Sequence, residues 1–350
     1  MSRPPVRADA RGVRRAAAAL RRGKLVAFPT ETVYGLGADA RSARAVRRIF
    51  ALKSRPFFDP LIVHAPDAAS AFALCRAVPP AARKLGDVFW PGPLTLVLPK
   101  KRIVPGVVTA GLPTVAVRVP AHPVALRLLR AFGGPIAAPS ANRFGRTSPT
   151  TARMVAEEFG RGIDVILDGG ACRVGVESTV LEWKNGAFRL LRPGGVTLEA
   201  LKRRVRVGRA PAAVRRGRSA GAPASPGLLK GHYAPRTPLV LLDRSRAAFA
   251  RALAAVRPDR RARVGLLAFG GRRVPLGPFA ACEVLSPKRR LAEAAARLFH
   301  VMRKLDRMGL DLIVAERVPR RGLGLAIMDR LERAAAGSKV PRRLKKREAE

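Results

Sequence analysis

Two cations, Lys53 and Arg55, stand two residues apart in "LKSRPFFDPLIVH", just before Pro56. In an extended pre-proline segment both would point to one side, and two fixed cations on one side suit a triphosphate. In a chain this basic, a solvated helix end is the commoner origin of such a pair taken alone. A third cation, Arg118, lies inside the β-branched alternation "TVAVRVPAHP", on the face of Thr114 and Ala116. An arginine there needs a carboxylate or phosphate, because an unpaired buried charge is costly. Either a ligand or a structural ion pair meets that need. "IAAPSANRFGRTSPT" sets Ser140, Asn142 and Ser148 close together as donors and acceptors, for a ligand or for their own backbone. "PTETVYGLG" turns polar at Thr32 where an apolar strand stops, and His64 ends the apolar run "PLIVH". Ser178 starts the strand in "GVESTVLEW", and Arg192 ends another in "LLRPGG". Taken together, these clusters resemble a binding surface for an anion and a small zwitterion.

The elements that must position them are short. From Leu25 to about Val207, strands such as "LVAF", "LTLVL", "TVAVRV", "IDVILD" and "STVLEW" alternate with helical stretches such as "ARAVRRIFALK" and "HPVALRLLRAF". The pattern predicts an α/β domain with mixed strand directions. Residues 208–236 repeat Pro, Gly and Ala without periodicity and read as a linker. Beyond them "PLVLLD", a helix over 245–256, "RVGLLAF", "CEVL", "LAEAAARLFHVMRKLDRM", "DLIVAE" and "GLAIMDRLERAAAG" predict a second, smaller doubly wound domain over 237–340.

Composition excludes several classes. With 350 residues, 48% hydrophobic, the chain can bury two cores. Cys75, Cys172 and Cys282 are far apart and form no CxxC pair, which fits buried thiols in a reducing compartment. No apolar run approaches the roughly 18 to 20 residues of a membrane span. The arginine-rich start spaces its Ala and Leu as an amphipathic helix, so a cytoplasmic protein is expected. His64, His122, His232 and His300 are too scattered for a metal cage, and neither a GxxxxGK[ST] nor a GxGxxG loop is present. Against 24 Asp and Glu stand 68 Lys and Arg, a formal charge of +44. Such a surface attracts nucleotides or RNA. A composition dominated by Arg and Ala explains it as well.

The order and spacing of "PTETVYGLG", "KSRP", "PLIVH", "WPGPLTLVL", "TVAVRVPAHP", "APSAN", "GVESTV" and "LLRPG" resemble the YrdC-like domain of Sua5-type threonylcarbamoyl-adenylate synthases. The resemblance spans residues 12–207. It continues through a linker ending in "SPGLLKGHYAP" to a C-terminal domain with "RGLGLAIMDR". It implies a YrdC-like mixed-sheet α/β domain plus a smaller Rossmann-like α/β domain. The implied enzyme makes threonylcarbamoyl-AMP and pyrophosphate from L-threonine, bicarbonate and ATP with Mg²⁺. A tRNA threonylcarbamoyl transferase complex would receive the product for adenosine 37, and weak tRNA contact is a further implied partner.

Carried over by motif, Thr32, His64, Arg118, Ser178 and the Ala138 backbone would hold threonine. Arg55, Asp59, Thr114, Ser140, Asn142, Ser148 and Arg192 would line the ATP site, with Lys53, Arg55 and Arg118 acting on the reacting anions. Gly35 and Gly37 would let the backbone approach the pocket floor. Tyr233 would close over the nucleotide, on hinges at Gly227 and Gly231 limited by Pro226 and Pro235. Family members commonly carry Asn where this chain has Asp59. A carboxylate only accepts hydrogen bonds, so Asp59 either meets ATP differently or helps position Mg²⁺. Two rivals remain: an RNA-binding module without catalysis, and a hydrogenase-maturation carbamoyltransferase. The latter carries acylphosphatase and CxxC zinc regions that this sequence lacks.

Overall fold

Local chemistry starts the helices. Asp9 accepts a hydrogen bond from the Gly12 amide at 2.8 Å and opens α1 (Ala10–Arg21), whose Val13, Ala16, Ala17 and Leu20 face inward. Ser42 caps α2 (Ala43–Lys53) in the same way, and Pro123 begins α3 (Pro123–Phe132), which Gly133 ends in the left-handed region at φ 75°. The computed structural model describes residues 4–209, 231–242, 263–271 and 279–338. They divide into two units, one of residues 4–144 and 148–209, the other of residues 145–147 and those from 231 onward.

In the first unit the strands are β1 (Val6–Arg7), β2 (Val26–Phe28), β3 (Gly35–Asp39), β4 (Ile62–His64), β5 (Leu94–Pro99), β6 (Thr114–Arg118), β7 (Ile136–Ala137), β8 (Val165–Asp168), β9 (Thr179–Lys184), β10 (Ala187–Arg192) and β11 (Val207–Arg209). They form one sheet in the order β1-β8-β2-β3-β7-β4-β6-β5-β9-β10-β11. Parallel pairs (β4 with β6, β5 with β9) alternate with antiparallel ones (β3 with β7, β5 with β6), the mixed directions expected from the sequence. Ala16, Leu20, Val26, Phe28, Leu128, Leu129, Ile136 and Val165 pack α1 and α3 against one flank. Burial of such side chains is worth about 1.5–3 kcal/mol each.

In the second unit β12 (Leu239–Leu241), β13 (Val264–Ala268), β14 (Ala281–Val284) and β15 (Leu312–Ala315) form a wholly parallel sheet, ordered β12-β15-β13-β14. Val264, Leu266, Leu312 and Val314 supply part of its core. One long helix spans Leu291–Asp306 and another Gly324–Ala336. The helix expected over 245–256 and residues 210–230 of the expected linker, with Pro226 and Gly227, lie outside the described residues.

Candidate active site

Strand alternation gathers the threonine-side candidates. In β4 and β6, Ile62 pairs with Ala116 and His64 with Arg118, so Ile62, His64, Thr114, Ala116 and Arg118 share one sheet face. Ile62, Val97, Ala116, Val180 and Leu191 form a buried apolar cluster on that face. Thr114 and Arg118 mark opposite ends of β6, four residues and about 13 Å apart at roughly 3.3 Å per residue. The strand therefore separates two polar ends across an apolar floor.

At the Arg118 end the guanidinium has a neighbour at each nitrogen, and Nη2 makes no hydrogen bond. Nη2 lies 2.8 Å from Glu31 Oε1, Nη1 donates to Thr32 Oγ1 at 3.0 Å, and Nε donates to the Gly92 carbonyl at 3.2 Å. The ion pair allowed for from the sequence is thus present. Because Thr30 Oγ1 donates to the Val33 carbonyl, the 2.7 Å contact between the two threonine hydroxyls makes Thr32 the donor there. Thr32 Oγ1 keeps one lone pair for a ligand. Glu31 is buried, and neither of its carboxylate oxygens accepts a hydrogen bond. His64 is buried beside Phe28, its Nδ1 without a hydrogen-bond partner. Burial, then the charge of Arg118, pulls the imidazole pKa down to about 3.

That depression fixes a pH dependence. Unfolded His64 protonates near its ordinary 6.5, whereas the folded ring stays neutral to about 3. The unfolded state binds the extra proton between those values. Stability is therefore lost as pH falls below 6.5, by about 1.4 kcal/mol per unit from this group. Urea denaturation at neutral and at acidic pH should show a steeper loss for the wild type than for His64→Gln. Equal slopes would mean that the native ring carries charge.

The other candidates are held by separate local contacts. Ser178 Oγ shares a 2.7 Å hydrogen bond with Thr95 Oγ1 and accepts one from Arg192 Nη2 at 3.2 Å. Arg192 also donates to the Ser178 carbonyl. Ser148 Oγ donates to Glu177 Oε1 at 2.5 Å, and Asn142 Nδ2 donates to the Arg143 carbonyl at 2.7 Å. The Ala138 amide donates to the Ile62 carbonyl, and Ser140 bridges Gly35.

Lys53 departs from the expected geometry. It is the last residue of α2, and Ser54 caps that helix in the left-handed region at φ 51°, ψ 42°. Lys53 and Arg55 therefore do not lie on one extended segment. Lys53 Nζ is buried and donates to the carbonyls of Ser140, at 2.6 Å, and Asn142. Burial first, then the charge of Arg55, lowers its pKa. Arg55 Nη2 reaches Asp59 Oδ2 at 2.9 Å and the Pro60 carbonyl at 2.9 Å, while Nε donates to the Asp59 carbonyl at 3.0 Å. Asp59 is wholly buried, and burial raises its pKa against the opposing pull of Arg55, Lys53 and Arg192.

Two further expectations change. Gly37 does not free backbone for a ligand: a Cβ there would sit 2.7 Å from Ile136 Cγ2 and 2.8 Å from Phe28 Cε1. At Gly35 the nearest atom would be Ala138 Cβ, at 3.3 Å. Both glycines make room for side chains packed on the sheet. Tyr233, expected to close over the nucleotide, is buried. It is 1% exposed in the second unit, its ring 5.8 Å from that of Phe299 and 5.1 Å from the Arg330 guanidinium carbon. Arg330 ends the "RGLGLAIMDR" motif, so two motifs distant in sequence pack on each other.

Sequence reasoning passed over Glu31, Gly92, Thr95 and Glu177, which hold the named residues in place. A buried strand arginine calls for an acid, yet nothing local selects Glu31 among 24 acids. Burial pushes the Cys75 and Cys172 thiols up to about 12, which disfavours the thiolate at both. No cluster of three His, Cys, Asp or Glu could hold a metal among the described residues. No described helix is long and apolar enough to cross a membrane.

Comparison with known proteins adds a second line of observation. Residues 18–194 match the Sua5/YciO/YrdC family model, described as "Telomere recombination", and residues 196–336 match "Threonylcarbamoyl-AMP synthase, C-terminal domain". The chain is 45% identical over 309 residues to the threonylcarbamoyl-AMP synthase of Pyrococcus abyssi, covering 87% of this chain and 88% of that one. It is 44% identical over 312 residues to that of Bacillus subtilis, covering 88% of each. The crystal structure of P. abyssi Sua5 complexed with L-threonine superposes with a TM-score of 0.84 at 44% identity, over 92% of this chain and 94% of that one.

Proposed function

The chain belongs to the Sua5-type threonylcarbamoyl-AMP synthases, and we propose from that premise that it condenses L-threonine, bicarbonate and ATP into threonylcarbamoyl-AMP, pyrophosphate and water. It is a nucleotidyl-transferring enzyme whose product serves threonylcarbamoylation of tRNA. Family membership favours this over an RNA-binding module without catalysis. The observation that carries the reading is the group at one end of β6: a buried Arg118 bonded to Thr32 with a neutral His64 beside it in register.

In this proposal Arg118 takes the threonine carboxylate, and Thr32, His64, Ser178 and the Ala138 backbone position the rest of the amino acid. Arg55, Thr114, Ser140, Asn142, Ser148 and Arg192 face ATP. Lys53 acts chiefly by fixing the Ser140 and Asn142 carbonyls, and so the loop that carries two of those residues. A threonine carbamate oxygen attacks the α-phosphorus as the bond to the β-phosphate oxygen breaks and pyrophosphate leaves. Both reactants are anions, so cations and orientation supply most of the rate. No protein nucleophile is required.

Mg²⁺ accompanies ATP in this proposal, where it would neutralise charge on the leaving pyrophosphate. The described residues offer such a cation little: the buried Asp59 carboxylate is already ion-paired with Arg55 at 2.9 Å, so phosphates and water would have to hold the cation. A tRNA threonylcarbamoyl transferase complex as recipient, weak tRNA contact by the basic surface and a cytoplasmic location complete the proposal. Pyrophosphate release from ATP should require both L-threonine and bicarbonate. Undiminished release with threonine omitted would exclude it.

A further inference from the structure

The arginines of α1 stand apart from those of the other amphipathic helices. Arg153 pairs with Glu157 at 3.0 Å, Arg297 with Glu293 at 3.6 Å and Arg333 with Asp329 at 3.1 Å, each one turn away on its own helix. On α1 the exposed Arg11, Arg14 and Arg15, with Arg22 just beyond its end, have no acidic partner among the described residues. The sequence has no acid between Asp9 and Glu31, and Asp9 is occupied in capping the helix. Spacings of three, four and eleven residues put all four arginines on one helix face. Like charges three and four residues apart repel, so this stripe weakens the helix that carries it.

α3 extends the stripe. It packs beside α1 through Leu20, Leu128 and Leu129, Arg127 Nη2 donates to the Ala8 carbonyl at 2.8 Å, and Arg21 donates to the Ala131 carbonyl. Arg127 and Arg130 are exposed, and the sequence has no acid between Asp87 and Glu157. From Arg11 to Arg22 the face runs about 16 Å along the helix axis, at 1.5 Å per residue. A lone nucleotide meets only part of such a face, whereas a nucleic-acid backbone presents phosphates along its whole length. A lipid surface fits poorly. The apolar side of α1, with Ala16, Ala17 and Leu20, is already buried in the core and has nothing to insert into a bilayer.

We propose that the exposed face of α1 and α3 docks the phosphate backbone of a folded RNA, and that the tRNA contact named above is made there. The inference rests on that contact and not on ATP use, since none of these arginines belongs to the candidate active site.

Binding of an unmodified tRNA, followed by fluorescence anisotropy over about 50 to 200 mM salt, tests it. Three proteins are compared: the wild type, Arg11→Gln/Arg14→Gln/Arg15→Gln, and Lys202→Gln/Arg203→Gln/Arg204→Gln. The last removes the same charge from exposed residues just before β11, at the opposite edge of the sheet from β1. The α1 variant should bind about tenfold or more weakly, and its slope of log affinity against log salt should fall by about two to three. The Lys202 variant should lose about twofold or less at the same salt. Pyrophosphate release should be unchanged in both, which also reports that they fold. If the α1 variant does not fold, Arg15→Gln/Arg130→Gln should still weaken tRNA binding by about threefold or more. Equal weakening by the two triple variants would overturn the assignment, leaving net charge as the cause. So would undetectable tRNA binding by the wild type at the lowest salt. Binding to phosphatidylglycerol vesicles that the α1 variant loses, with tRNA binding unchanged, would overturn it in favour of lipid. A wild type that binds tRNA through this face but releases no pyrophosphate would count against the proposed reaction alone.

Discussion

Arg118→Ala is expected to raise the threonine KM about ten- to a hundredfold, the effect of losing one charge-assisted contact. It should also destabilise the first unit by about 3–5 kcal/mol, because Glu31 is then left buried without its counter-charge. The two effects separate in Arg118→Ala/Glu31→Gln. Neutralising Glu31 should restore much of the stability, whereas threonine use should stay lost, since no cation returns to meet the carboxylate. Initial rates across a threonine series, with denaturant melts of the same proteins, provide the check. Recovery of a wild-type threonine KM in the double variant would assign Arg118 a purely structural role.

Tyr233→Ala should destabilise the second unit by about 3–5 kcal/mol, as deletions of large buried aromatic side chains do. Its ring packs edge-on to His232 at 4.3 Å as well as against Phe299 and Arg330. Removal would therefore deprive the wholly buried Arg330 of its cation–π neighbour. Tyr233→Phe keeps the ring and should melt close to the wild type. ATP titrations of the same variants address the lid expected from the sequence. Weaker ATP binding in Tyr233→Phe with unchanged melting would give the hydroxyl a part in holding nucleotide. An unaltered melt of Tyr233→Ala would mean that the burial contributes little.

The two arginines placed against substrate illustrate how differently legible a site can be. Arg55 finds Asp59 four residues along the chain, within one loop, so that pair could be read from spacing. Arg118 is joined to Glu31 and Thr32 across nearly ninety residues, and Lys53 to Ser140 and Asn142 across a similar distance. Those unions depend on sheet order. β4 and β6 lie parallel with helices and loops between them in the chain, which brings His64 level with Arg118.

The amino-acid sequence by itself determined two α/β units, the mixed and doubly wound strand patterns, the capped helices and the residue types available for two anions. Each depends on interactions within a few residues: side-chain period, cap hydrogen bonds, proline and glycine torsions. Tertiary structure alone decided that Glu31 answers Arg118, that Thr95 and Glu177 hold Ser178 and Ser148, that Gly37 serves Phe28 rather than a ligand, and that Tyr233 is buried on Arg330. Such contacts are chosen by which strands become neighbours and how side chains exclude one another in a filled interior, and pattern within a short window carries no record of either.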